Sequence, residues 1–142
     1  MIIERTRNLQ EILRCLPFET EVRRKKRDRS KLSKMLLFIQ SQLENPLFGF
    51  WIAYDSEEEI KPDDPIIGYT SATISLMPGV EGLYLYRIYA KTKEVRKEFE
   101  KIGRQWAKEH KVKKIVITVS KNIKALKRYN FTPVSVNMER RI

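Results

Sequence analysis

The stretch from Leu83 to Phe131 constrains the fold more than any other part of the chain. It reads as strand, helix, strand, short helix, then a turn into a last strand. Residues 83–89, Leu-Tyr-Leu-Tyr-Arg-Ile-Tyr, are of types that favour a strand. From Lys91 to His110 the period changes. Val95, Phe99, Ile102 and Trp106 fall at steps of four, three and four, which places them on one face of a helix. Charged residues fill the rest of that helix. Residues 114–119 then form a short β-branched run suited to a strand within a sheet. Strand, long helix, strand predicts a right-handed crossover between parallel neighbours, with a ligand site where the first strand hands over to the helix.

The preceding half supplies the rest of a sheet. Residues 1–6 are a short strand candidate. Asn8 can cap a helix whose Leu9, Ile12, Leu13 and Leu16 face inward, with Pro17 near its end. Leu32, Met35, Leu36, Ile39 and Leu43 mark a second amphipathic helix, closed by Asn45-Pro46. Residues 48–54 are bulky on both faces, which predicts a central strand. Residues 55–64 carry Asp55, Glu57, Glu58, Glu59, Asp63 and Asp64. They lack the glycine and terminal Glu of an EF-hand and predict a solvated hairpin loop. A lesser alternative is an acidic lip that recruits a cationic amine. Residues 66–76 form the next strand, which turns through Pro78-Gly79 and Glu81-Gly82 into residues 83–89. Short loops join these three strands, so an antiparallel meander is expected. The fold class is therefore α/β of the α+β kind: a mixed central sheet with an antiparallel meander followed by β-α-β-α-β.

A chain of 142 residues is one domain's worth and can bury a core without disulfides. Cys15, the sole cysteine, lies on the apolar face of a predicted helix and reads as a buried structural thiol. His110, the sole histidine, reads as helix-end polar surface. With one of each, a His/Cys metal cluster within this chain is not expected. No apolar run reaches the length of a membrane span, and the first residues lack the apolar stretch of a signal peptide, so cytoplasmic residence is expected. The formal charge of +11 suggests anionic partners: phosphates, nucleotides, nucleic acid or an acidic protein. High lysine content as a compositional bias of the source accounts for the same charge. Residues 23–31 are the densest basic segment, with Arg23, Arg24, Lys25, Lys26, Arg27, Arg29 and Lys31 against Asp28. They read as a solvated loop or helix face, with nucleic acid the alternative. No aromatic is interleaved there to stack on bases.

The closing residues carry a resemblance. Trp106-Ala107-Lys108-Glu109-His110, then 115–119, Asn122, Ala125, Tyr129, Phe131-Thr132-Pro133-Val134 and Met138-Glu139 resemble the GNAT superfamily of acyl-CoA-dependent N-acyltransferases. The element order resembles that family along the whole chain, 1–142, as one GNAT-like domain; the motif-level likeness begins near Lys91. Asn130-Phe131-Thr132-Pro133 stands where the family has Gly-Phe-x-Pro, and Asn, like Gly, tolerates the left-handed conformation that ends a helix.

The resemblance implies acetyl-CoA as cosubstrate, lying where the strand 83–89 splays from 115–119. Backbone groups of that first strand, around Tyr86, Ile88 and Tyr89, would hold the pantetheine arm. The pyrophosphate would meet the N-terminus of the helix after Lys91, and Asn122 would add a contact. An amine of a protein or small molecule would attack the thioester directly. Two departures from the family pattern follow. The family's glycine-bearing phosphate loop falls, without a gap, on Lys91, Glu94 and Arg96; no glycine is present. Lys91, Lys93, Arg96 and Lys97 would then bind phosphate through side chains, or the loop is shorter with Arg96 as its basic residue. The family's acid Tyr falls on Leu126 counted from Asn130, or on Tyr129 counted from Asn122. Glu81 and Tyr84 are the candidate bases, Tyr84 needing a lowered pKa. The same departures resemble divergent GNAT-like proteins of tailed phages. They imply an alternative: an inactive structural or binding protein, serving a virion or host interaction. A nucleic-acid-binding α/β domain outside the family is a third reading. Monomer and homodimer both remain open.

Overall fold

The computed structural model describes residues 1–18 and 29–117. Among them eight elements follow one another: β1 (Ile2–Arg5), α1 (Leu9–Leu13), α2 (Arg29–Gln42), β2 (Phe48–Tyr54), β3 (Ile66–Ser75), β4 (Gly82–Ala90), α3 (Lys93–Glu109) and β5 (Ile115–Ile117). Residues 19–28, which hold most of the basic segment, lie outside the described residues. So do residues 118–142, with the expected short helix, the last strand, Asn122 and Tyr129.

The five strands are ordered as they occur, β1-β2-β3-β4-β5. β1 to β4 are antiparallel, which bears out the meander, and β4 pairs with β5 in parallel. The parallel step is the one bridged by α3, as a crossover helix requires.

The sheet is covered on both faces, which explains why β2 shows no alternation: every one of its residues is buried. Phe48, Phe50, Ile52 and Tyr54 pack with Tyr69 against Ile12 and Cys15 near α1 and Met35 and Ile39 of α2. Trp51 and Ala53 point the other way, joining Ala72, Ile74 and Leu83 against Val95, Phe99, Trp106 and Ala107 of α3. Cys15 is buried, 3% exposed, as its place on the apolar face predicts. Each fully buried large apolar side chain contributes about 1.5–3 kcal/mol.

Caps explain the helix starts. The Asn8 side chain accepts from the Gln10 N–H at 2.9 Å and opens α1. Thr92 is the N-cap of α3, its hydroxyl accepting from the Val95 N–H at 3.3 Å. The helix therefore begins at Lys93, after an expected start near Lys91. At its other end His110 is half-buried, its ring 5.5 Å from that of Trp106 and its Nδ1 3.0 Å from the Trp106 carbonyl oxygen. The second amphipathic helix stops at Gln42, before Asn45-Pro46. The Asn45 side chain instead accepts from the Leu47 N–H at 2.9 Å, a local turn that leads into β2.

Arg5 ties β1 to the α3 layer. Its guanidinium lies 5.6 Å from the Trp51 ring and 5.2 Å from the Trp106 ring, and donates to the Phe48 carbonyl at 2.7 Å. Two aromatic faces and a carbonyl satisfy a charge that burial holds somewhat below its usual pKa. The acidic loop is organised by Asp64, whose carboxylate accepts from the Ser56 hydroxyl at 2.7 Å and the Lys61 N–H at 2.8 Å. These two bonds lower its pKa. Among the described residues, no helix is long and apolar enough to cross a membrane, and no group of three His, Cys, Asp or Glu is placed to hold a metal.

Candidate active site along strand β4

The candidate residues are strung along β4 and its two ends. Glu81 is exposed in the turn that enters the strand. Tyr84 follows, half-buried, its hydroxyl donating to the Val80 carbonyl at 2.8 Å. Leu83, Tyr84 and Leu85 pair in parallel with Ile115, Val116 and Ile117. The opening expected between the two strands would lie beyond Ile117, outside the described residues.

Past Leu85 the strand changes. Against β3, Arg87 is opposite Ser71 but Leu85 is opposite Ala72, so Tyr86 is an extra residue: a β-bulge. A bulge takes one peptide out of the ladder, bends the strand and re-aims a side chain. The Tyr86 ring lies 4.9 Å from Phe38 of α2, and the Arg87 guanidinium 5.3 Å from the Tyr86 ring. Tyr86 and Ile88 are exposed. Tyr89 is held from both sides, by Phe18 at 4.8 Å and Tyr69 at 6.0 Å. The Thr70 hydroxyl donates to the Arg87 carbonyl at 2.9 Å and fixes the strand just after the bulge. Beneath, Phe50, Tyr69 and Arg87 line a narrow cavity with Ile12, Met35 and Ile39. Among the described residues, the fully buried Ser71 hydroxyl has no hydrogen-bond partner.

At the far end β4 meets α3. The Lys91 N–H donates to the Ile67 carbonyl at 2.9 Å, which pins the loop to β3. Lys91, Lys93, Arg96 and Lys97 are all exposed around the start of α3. Among them stands Glu94. Its carboxylate accepts from its own backbone N–H and from the Thr92 hydroxyl, with Lys93 and Lys97 close by, and these hold its pKa below the usual carboxylate range. The helix end thus already has an anion of its own, on groups that would otherwise meet a phosphate. Four cations against one carboxylate between Lys91 and Lys97 still leave the end positive. That donor set fits a diphosphate held by side chains in place of glycine backbone.

Spacing sets what can bind. Tyr84 and Lys91 are seven residues apart, about 23 Å of strand at 3.3 Å per residue. The candidate bases and the candidate phosphate site are therefore at opposite ends of β4, and only an extended ligand reaches both. Tyr84, Tyr86, Ile88, Tyr89 and Lys91 lie on or at the end of that one strand. Lys93, Arg96 and Lys97 gather at its end, and Glu81 stands alone at its start. The sequence reading overlooked Thr92, Thr70, Arg87 and Ser71. Thr92 was open to detection, as a Thr directly before a helical period. The other three owe their places to cross-strand register.

The fold matches known structures. A predicted acetyltransferase from Clostridium acetobutylicum, with acetyl-CoA, superposes at a TM-score of 0.68 with 18% identity, over 99% of this chain and 95% of that one. The aminoglycoside N-acetyltransferase AAC(6')-Iy, with a CoA-linked bisubstrate analogue, superposes at 0.65 with 14% identity, over 99% and 97%. The ribosomal-protein-alanine N-acetyltransferase of Brucella melitensis biovar Abortus 2308 superposes at 0.64 with 12% identity, over the full length of both chains. The chain has the GNAT fold. Its sequence is divergent within that fold: no family model matches it, and no curated protein does. In GNAT terms β4 and β5 are the strands between which the cosubstrate was expected, and α3 is the helix whose N-terminus was expected to face the pyrophosphate.

Proposed function

We propose that this protein transfers an acetyl group from acetyl-CoA to an amine of a protein or small molecule. The bulge at Tyr86 carries the reading. In a GNAT fold it frees backbone in the middle of the strand that runs from the candidate bases to the cationic start of α3. Bound acetyl-CoA supplies the activated acyl thioester. Lys91, Lys93, Arg96 and Lys97 pair with its diphosphate, and the Glu94 carboxylate gives way as the diphosphate arrives. Backbone around Tyr86, Ile88 and Tyr89 holds the pantetheine arm, with Asn122 as a further contact. Tight seating here supplies the orientation that such a transfer mainly needs.

Proton transfer falls to the start of β4. The Tyr84 proton is committed to the Val80 carbonyl, so its oxygen is left to accept from a water. Glu81, exposed three residues earlier, is the group to which that water passes the amine proton. Tyr129 protonates the leaving thiolate.

The test is release of free CoA thiol from acetyl-CoA with a panel of amines, including aminoglycosides and peptides with a free N-terminal alanine. Glu81→Gln should lower kcat with KM for acetyl-CoA nearly unchanged; Lys93→Glu with Lys97→Glu should raise that KM. Thiol release that no panel amine stimulates would count against the reading. The alternative of an inactive virion or host-interaction module, suggested by the glycine-free loop, is not favoured: the solved structures named above are described as acetyltransferases.

A further inference from the structure

The solvent crest of α3 is a row of like charges that the acetyl-transfer reading does not use in full. Val95, Phe99 and Trp106 are buried against the sheet. At 100° per residue, the positions opposite them are Lys93, Lys97, Lys101, Arg104 and Lys108, at steps of four, four, three and four. All five are exposed. From Lys93 to Lys108 the row spans fifteen residue steps, about 22 Å of helix. Exposed Lys111, Lys113 and Lys114 continue the basic character past the helix end.

Acids border the row on both sides. Exposed Glu100 stands at one edge, three residues after Lys97 and four before Arg104, while Glu94, Glu98 and Glu109 each follow a crest lysine by one residue and so sit on the other flank, about 100° from it. Glu98 pairs with Lys101 at 3.0 Å, with both side chains exposed, and Glu94 interacts with Lys93 and Lys97. Along the crest itself Lys93, Lys97 and Lys101 are like-charged neighbours at four-residue spacing, and so are Arg104 and Lys108. Such pairs weaken a helix, where alternating signs would have strengthened it. Helix stability alone does not call for five cations on one face.

We propose that the crest of α3 docks the phosphate backbone of a nucleic-acid duplex, without reading its sequence. The row has no aromatic side chain to stack on the bases of a single strand. It has no apolar side chain to anchor an acidic peptide in a pocket. It offers five exposed cations at regular spacing, with one carboxylate, Glu100, at its edge, and such a row suits a line of phosphates. Lys93 and Lys97 are shared with the proposed diphosphate site, whereas Lys101, Arg104 and Lys108 are not, and the test is placed on those three.

The test uses the full chain, a labelled DNA duplex of arbitrary sequence and fluorescence anisotropy across a salt series. Binding should weaken linearly in log–log form with salt, with a slope of roughly −4 to −5 for five neutralised phosphates. Lys101→Glu/Arg104→Glu/Lys108→Glu should weaken binding at least tenfold and reduce the slope by about 3. Its far-UV circular dichroism and its cooperative urea unfolding should match those of the unaltered chain, which shows it is folded. The control is Arg7→Glu/Lys34→Glu/Lys61→Glu, with the same net charge and all three positions exposed. It should keep the slope. Equal losses from both triples would overturn the proposal, because net charge alone would then explain binding. No binding at low salt would also overturn it, as would displacement of the duplex by a poly-glutamate peptide at lower concentration than by unlabelled duplex.

Discussion

Replacing Gly68 with Ala should loosen the seat of α3 and with it the cosubstrate site. A Cβ at Gly68 would lie 2.8 Å from the Tyr89 carbonyl oxygen, 2.8 Å from Val95 Cγ1 and 3.0 Å from Phe99 Cε2. The first is backbone of β4. The other two belong to side chains only 1% and 4% exposed, so none can swing aside. Overfilling a packed site of this kind costs typically about 1–3 kcal/mol, and three simultaneous contacts place this one at the upper end. Against that, Ala regains about 0.5–1 kcal/mol that Gly forfeits within a strand. The clash wins, and the net loss is about 2 kcal/mol, or a fall in Tm of roughly 6–8 °C for a domain of this size. Urea unfolding should show a lower midpoint at unchanged slope. Because Gly68 follows Ile67, whose carbonyl holds the Lys91 N–H, acetyl-CoA binding should weaken as well. Gly79→Ala is the control: its Cβ would meet nothing within 4 Å, and a φ of +87° leaves only backbone strain of about 1 kcal/mol. A Gly68→Ala protein as stable as the unaltered chain would refute the close-seat argument.

Three further outcomes are expected. Glu94→Gln should tighten acetyl-CoA binding in calorimetry, because it removes the anion already on the helix end; unchanged or weaker binding would contradict that role. It should also flatten the acid limb of the stability curve. A lowered carboxylate pKa gives stability that is present above the ordinary carboxylate range and lost as pH falls through the lowered value. Thr92→Ala should cost about 1 kcal/mol through loss of the N-cap, read as a lower urea midpoint. Tyr54, 1% exposed, has its pKa pushed up to about 12, chiefly by burial. Stability from keeping it neutral is whole below about pH 10 and is lost as pH rises towards 12, so Tyr54→Phe should flatten the alkaline limb. An alkaline limb identical in the two proteins would show that Tyr54 ionises as freely as in the unfolded chain.

Patterns with a single period were legible in the sequence. Val95, Phe99 and Trp106 declared α3, and the run from Phe48 to Tyr54, apolar on both faces, declared a strand covered on both sides. Short loops declared the meander. What stayed hidden depends on register. Nothing in Tyr-Arg-Ile marks Tyr86 as the extra residue: the bulge exists because Leu85 and Arg87 find consecutive partners on β3. The same register brings the Thr70 hydroxyl to the Arg87 carbonyl from seventeen residues away. Glu94 was legible as an acid at one of the phosphate-loop positions. That its carboxylate bonds to Thr92 was not, because the cap itself had been passed over. The ridge on α3 was spelled out in the sequence but dissolved into a net charge of +11, which does not say which face carries it.

The most direct test of the account is calorimetric titration of acetyl-CoA into the folded, full-length chain. The account predicts binding in the tens-of-micromolar range or tighter, roughly −6 kcal/mol or better, weakened by Lys93→Glu with Lys97→Glu. No detectable heat at millimolar acetyl-CoA, from both the unaltered chain and Glu94→Gln, would contradict it.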